Sequence, residues 1–170
     1  GFVPSQLSKS PAGKDFRDDA DKYVSYDQKK AQEYLDAAKK ELGTDTITID
    51  LLYGTDESPM DTMAEYLQGS FSKLKGLKVN MVATVKKDRI YNREANGNFQ
   101  VVCTRWGPDY ADPTTYLNLF LTGNQNNYGK YSNAKVDSLM KQVQAESDLN
   151  KRWDLMTQVE KTALDDLAYI

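Results

Sequence analysis

No histidine occurs among the 170 residues, and cysteine occurs once, at Cys103. Without an imidazole, and with a single thiol, the usual zinc and non-haem iron ligand sets cannot be assembled, and Ser-His-Asp and Cys-His catalysis are excluded. One cysteine forms no internal disulfide; inside the apolar stretch Val101 to Cys103 it reads as a small core residue. No apolar run approaches the roughly 20 residues of a bilayer-spanning helix, and the N-terminus has no charged-then-apolar signal pattern. Charge is nearly balanced, with 22 basic against 25 acidic side chains, and basic residues stand in runs of no more than two. That pattern leaves no electrostatic footprint for a polyanion, so nucleic acid is not an expected partner. Neither the phosphate-loop nor the dinucleotide fingerprint occurs, and no cofactor or metal is expected.

What is present is a regular alternation of periods. Ser25 with Gln28 three residues later is a capping-box signature, and Ala31, Tyr34, Leu35, Ala38 and Leu42 recur at helical spacing until Gly43. Ile47, Ile49 and Leu51 then alternate with polar residues as a strand that ends at Gly54. Ser58-Pro59 reads as an N-cap with proline at the first helical position, ahead of a stripe of Met60, Met63, Ala64, Leu67, Phe71 and Leu74. Leu77, Val79, Met81 and Ala83 alternate again. Asp88 is placed to cap a shorter helix running to Asn96-Gly97, and Phe99, Val101 and Cys103 form a third strand. This order predicts a right-handed parallel βαβαβ core.

Three further helices are expected beyond it. Asp112-Pro113 caps one carrying Tyr116, Leu117, Phe120 and Leu121; Ser132 or Asn133 caps one with Val136, Leu139, Met140 and Val143 inward; Asp148 caps one with Trp153, Met156, Val159, Ala163, Leu164 and Leu167 inward. Gly123 to Tyr131 is a polar, asparagine-rich loop. Residues 1–24 show no sustained period and read as an irregular lead-in to a single lobe over 25–170. Both ends look abrupt, which suggests a piece excised from a larger protein.

The densest chemistry lies in Trp106-Gly107-Pro108-Asp109-Tyr110-Ala111-Asp112-Pro113, directly after the third strand. Ligands of parallel sheets bind outside the carboxyl ends of the strands. An indole and a phenol flanking a carboxylate suit a cationic group such as a free amino terminus, through the ring faces and a charge-assisted hydrogen bond. Asp112, next to Pro113, reads as a helix cap, and Asp109 as the ligand contact. The competing interpretation has Asp109 merely capping the next helix while Trp106 fills a corner of the core. Arg105 is placed equally well to reach a ligand carboxylate or to pair with a neighbouring acid. Asp109 and Asp112 as the acid and base of a free-standing hydrolase is a weaker alternative, because two acids three residues apart in one turn rarely face each other across a substrate. The loop Gly54-Thr55-Asp56-Glu57-Ser58 precedes a helix N-terminus, but its two acids argue against an anion site, so it reads as a capped connection.

Together these residues resemble the solute-binding proteins of oligopeptide ABC importers, the large periplasmic or lipid-anchored type II receptors. The likeness is carried by Trp106 to Pro113, by Tyr116-Leu117-Asn118, by Gly129-Lys130-Tyr131-Ser132-Asn133 leading to Val136-Asp137-Ser138-Leu139, and by the helix around Trp153 to Leu167. Upstream it is carried by Tyr26-Asp27 with Ala31, Tyr34, Leu35 and Ala38. The resemblance implies a three-layer α/β lobe of a type II periplasmic binding protein, truncated from a two-lobed, monomeric, non-enzymatic receptor outside the cytoplasm. It implies an oligopeptide ligand and an ABC permease as partner. Asp109 would then receive the ligand's α-ammonium, Trp106 would wall a side-chain pocket, and the main chain from Arg105 to Gly107 would pair with the peptide as an added strand, with Tyr110 beside them. Pro108 removes one amide from that edge. A sugar or a chelated metal is the alternative ligand within the same family.

Overall fold

The computed structural model describes residues 1–20 and 25–169, so part of the lead-in, residues 21–24, and the last residue lie outside the description. The chain partitions into two compact units, residues 26–105 and residues 1–25 with 106–170. This differs from the lead-in and single lobe read from the sequence.

The unit of residues 26–105 is the parallel α/β core. Strands β1 (Ile47–Gly54), β2 (Leu77–Thr84) and β3 (Val101–Val102) form one sheet in the order β2-β1-β3. β1 pairs in parallel with both neighbours, Ile47 opposite Leu77 and Leu51 opposite Val101. The third strand is shorter than its alternation suggests, although the Cys103 amide still donates to the Leu52 carbonyl at 2.8 Å. Because β1 lies in the middle, the two crossovers run in opposite directions, and connections of one hand then place their helices on opposite faces. Helix α3 (Met60–Phe71) covers the face of Leu51 and Cys103 with Met60 and Ala64. The other crossover is a helical turn α4 (Lys86–Asp88) that continues into a π-helical segment (Arg89–Glu94).

Glycine is required at Gly76, where φ is +89° and a Cβ would stand 2.7 Å from the Asp45 carbonyl oxygen. Helix α2 (Gln28–Leu42) departs most from its pattern. It ends at Gly43 in the left-handed conformation as expected, yet it has no buried residue. Ala31, Leu35 and Ala38 are half-buried, while Tyr34, at the rim of the stripe, and Leu42, in the last turn, are exposed. Polar bonds tie it down instead, Gln32 to both the amide and carbonyl of Lys75, and Lys39 to that same carbonyl.

Three start signals are corrected. Asp27, not Ser25, caps α2, accepting from the Lys30 amide at 2.9 Å. Met60 opens α3 with its amide on the Glu57 carbonyl at 2.7 Å, so Pro59 stands before the helix and Ser58 does not cap it. Asp88 lies inside its helix, where its carboxylate accepts from Thr84 and Asn92.

The second unit is helical. α5 (Thr114–Leu117) runs into a 3-10 turn (Asn118–Phe120), and α6 (Ala134–Ala145) and α7 (Leu149–Asp165) follow. Asn133 and Asp148 cap α6 and α7 through their side chains, as their sequence positions indicate. In the loop before α6, buried Asn127 bonds both the amide and carbonyl of Tyr131 and the Leu121 carbonyl. The described part of the lead-in is integral to this unit. Val3, Phe16 and Ala20 are fully buried, Phe16 and Ala20 on a five-residue helix α1 (Phe16–Ala20). Fully buried Glu160 accepts the amides of Phe2 and Val3, each at 2.7 Å, and pairs with Arg17. A helix of little more than one turn carries too few residues to display a period, which is why this packing has no signature in the sequence.

Candidate functional site

After β3, Thr104 and Arg105 complete the sheet-containing unit, and Trp106 begins the helical segment of the other. Arg105 is exposed; its Nη1 donates to the Ser58 carbonyl at 3.4 Å and its Nε lies 3.9 Å from Glu57 Oε1. Arg105 thus lies beside a neighbouring acid.

Trp106 is half-buried against the helical core, and its carbonyl accepts from the Tyr116 hydroxyl at 3.2 Å. Its indole Nε1 is buried without a hydrogen-bond partner among the described residues. Gly107 is exposed, and a Cβ there would meet nothing within 4 Å, so close packing does not explain its glycine. The Asp109 amide donates to Thr115 Oγ1 at 3.0 Å, which fixes the bend. Asp109 itself is exposed, and its carboxylate has no hydrogen bond or ion pair among the described residues. Tyr110 is 48% exposed, and its hydroxyl accepts from Thr114 on α5 and from Asn118 in the 3-10 turn that follows.

Asp112 is different in kind. One oxygen accepts the Thr114 amide and hydroxyl at 3.0 and 2.6 Å, and both take the fork of Arg152 at 2.8 and 3.1 Å. Burial works against its charge, but the bonds from Arg152 and Thr114 outweigh it and hold the carboxyl below its ordinary 3.8. Asp112 is therefore a cap and a tie to α7. A hydrolase that used Asp109 and Asp112 as its pair would have one partner already committed.

A second set of residues escaped the sequence reading. Arg89 is 1% exposed, and Glu57 and Glu94 are 5% and 1% exposed beside it. Arg89 donates Nε and Nη2 to Glu57 Oε2 at 3.1 and 2.6 Å, and Nη1 to Thr104 Oγ1 at 2.8 Å and to Glu94. Lys86 Nζ stands 3.4 Å from Glu57 Oε1. Burial raises Glu57, but Arg89 more than reverses this and lowers it below 4.5; for Glu94 burial wins, and its carboxyl is raised. Burial lowers Arg89, but its hydrogen bonds to Glu57 and the charge of Glu94 outweigh this and hold it above its ordinary value. A 3.6-residue period would put Arg89 and Glu94 about 140° apart. The wider π-turn, with Ala95 donating to the Ile90 carbonyl at 3.1 Å, brings them to one side. Gly54 was the available signal, since a Cβ there would stand 2.8 Å from Glu57. Cys103, buried with Leu51 and Met60, has its thiol pushed up by burial.

A family model described as bacterial extracellular solute-binding proteins, family 5 Middle, matches residues 1–128, and the chain belongs to that family. A dipeptide-binding protein of Lactococcus lactis is 38% identical over 149 residues, 87% of this chain and 27% of the relative. The substrate-binding domain of an oligopeptide ABC transporter from Bacillus anthracis superposes with a TM-score of 0.89 at 34% identity, covering 98% of this chain and 32% of that one. A Listeria monocytogenes OppA solved with bound peptide superposes at 0.84 with 33% identity, covering 97% of this chain and 31% of that one. The chain thus spans about three tenths of the length of these relatives. No helix among the described residues is long and apolar enough to cross a membrane.

Proposed function

We propose that this chain is the ligand-contacting part of an extracytoplasmic receptor that captures peptides for import by an ABC transporter, with Asp109 taking the peptide's α-ammonium. The observation that carries this reading is the contrast between two acids three residues apart. Asp112 is fully engaged by Arg152 and Thr114, whereas the carboxylate of Asp109 is exposed and unpartnered among the described residues. The Thr115 hydroxyl holds the Asp109 backbone while leaving its carboxylate for a guest. A cationic amino terminus supplies the charge-assisted bond that such an acid lacks.

Peptide as the ligand class is supported by relatives described as dipeptide-binding and by a relative solved with peptide bound. An extended ligand would pair with the main chain at Arg105 and Gly107, and main-chain pairing gives affinity without reading side chains. Trp106 contributes a wall from its half-buried position, and Tyr110 borders the acid. The permease is engaged through the full-length protein, which is periplasmic or lipid-anchored and acts as a single copy.

In the full-length receptor, Asp109→Ala is expected to weaken binding of a free-amine peptide by about 2 to 5 kcal/mol. Acetylating the amino terminus is expected to weaken binding to the unaltered receptor by a similar amount. Calorimetry showing equal affinity for the variant, or for the acetylated peptide, overturns the assignment. A receptor that ignores peptides and binds a sugar or a chelated metal would replace it with the other ligand class of the family. The 170-residue chain alone is expected to bind peptide more weakly than the full-length protein, since the ordering and desolvation of a closed site are what confer affinity.

A further inference from the structure

Arg89 is the bulkiest of the fully buried side chains among the described residues, and nothing in the peptide-binding reading uses it. Its donors point at three separate pieces of chain: Glu57 in the loop after β1, Glu94 in its own π-helical segment, and Thr104 at the exit of β3. Gly54 packs beside the cluster, where a Cβ would stand 2.8 Å from the Glu57 carboxylate and in ordinary contact with Arg89 at 3.5 Å. The other Glu57 oxygen, Oε1, makes no hydrogen bond among the described residues but lies within ion-pair distance of two further cations, Lys86 Nζ at 3.4 Å and Arg105 Nε at 3.9 Å.

Stability does not require this arrangement. Well-packed apolar side chains of similar volume serve a core as well as a buried ion cluster, or better. What a guanidinium adds is a rigid planar fork that satisfies several acceptors at once in set directions, which a lysine cannot do. Here the fork sits at the carboxyl ends of β1 and β3, on either side of which the crossovers diverge, and ligands of open parallel sheets bind at such a point.

We propose that Arg89 is a positioning residue for ligand binding: through Thr104 and Glu57 it presets the exit of β3 and the side chain of Arg105, so that the main chain at Arg105 meets an extended peptide without first having to be ordered. The proposal rests on the peptide-binding reading above. A preset edge reduces the ordering cost of association, and support from neighbouring side chains is what keeps such an edge in place.

Thr104 gives the cleanest test, because it is exposed and its hydroxyl is the direct link between Arg89 and the strand exit. In the full-length receptor, peptide affinity is measured by calorimetry for the unaltered protein, Thr104→Val, Thr104→Ser, Arg89→Lys and the Arg89→Lys/Thr104→Val double variant. Thr104→Val and Arg89→Lys are each expected to bind about three- to tenfold more weakly, the range of couplings transmitted through packed networks. Thr104→Ser, which keeps the hydroxyl, is expected to bind as the unaltered protein does. The double variant is expected to bind no more weakly than Arg89→Lys alone, because both changes cut the same link. Unaltered affinity in Thr104→Val overturns the proposal, and so do losses that simply add, since they mean that Thr104 touches the peptide independently of Arg89. Should Arg89→Lys fail to fold, the valine and serine variants decide the matter by themselves. If the unaltered receptor binds no peptide, the functional reading falls and this inference with it; if it binds peptide and Thr104→Val binds equally well, only the positioning role is lost.

Discussion

The two units of this chain are held together in different ways. In the unit of residues 1–25 and 106–170, one apolar cluster gathers fourteen buried residues among those described, from Val3 to Ala163. In the unit of residues 26–105 the corresponding cluster has four, Leu51, Met60, Ala64 and Cys103. The first buries a carboxylate too, Glu160, but uses it to fasten the segment at Phe2 and Val3 to α7. The second places a charged cluster around Arg89 at the end of its sheet. Where apolar burial is extensive, polar groups serve as clasps. Where it is sparse, a buried guanidinium and its acids become part of the frame, and the direction of their hydrogen bonds sets the geometry.

This contrast can be broken most forcefully in the helical unit. Phe120 is fully buried and meets the rings of Phe2, Tyr131 and Tyr169. Phe120→Ala is expected to cost about 3 to 5 kcal/mol in urea denaturation, by lost transfer energy and an unfilled cavity. Next comes Arg89→Met, which leaves Glu57 and Glu94 buried without their shared cation and is expected to cost about 3 kcal/mol. Adding Glu57→Gln and Glu94→Leu to it is expected to restore much of that loss. A single variant that loses less than about 1 kcal/mol would mean that water, not Arg89, satisfies those acids.

A smaller effect sharpens the distinction between a structural acid and a ligand-facing one. Asp112→Asn is expected to destabilise by about 1 kcal/mol at neutral pH, the half-buried pair with Arg152 being partly screened by solvent. The folded carboxyl titrates below its ordinary 3.8, so its contribution is full above that value and disappears as the pH falls through the depressed one. Denaturation curves of the variant and the unaltered chain are therefore expected to converge in acid, and a gap that persists at low pH would assign the loss to something other than the ion pair. The smallest change is expected for Asp109→Ala, within about 0.5 kcal/mol in thermal melts, since this exposed side chain has no partner among the described residues to lose. A clear drop in melting temperature would place Asp109 among the structural acids with Asp112.

Much of the architecture was legible because it follows short-range rules. Alternation at Ile47 to Leu51 and at Leu77 to Ala83 marks β1 and β2, and Asn133, Asp148 and Gly43 stand at the helix ends their chemistry suits. The role of Asp112 as a cap was readable from Pro113 beside it, whereas its ion pair with Arg152, forty residues away, was not. The Arg89 cluster was hidden because its spacing belongs to a π-turn, and the same is true of Arg93 with Asp88 at 3.2 Å. How the lead-in is fastened was not legible, because its anchor, Glu160, lies at the opposite end of the chain.

Local pattern was enough to specify the parallel α/β core, the helices that follow it and the eight-residue string in which the candidate site lies, since period, caps and turn chemistry act over a few residues. Which of the two acids in that string is bound and which is left open, how residues 1–20 join the helical core, and that an arginine sits buried beneath the end of the sheet depend on side chains distant in sequence. Burial and hydrogen-bond satisfaction are properties of the assembled chain, and they appear only when its segments have met.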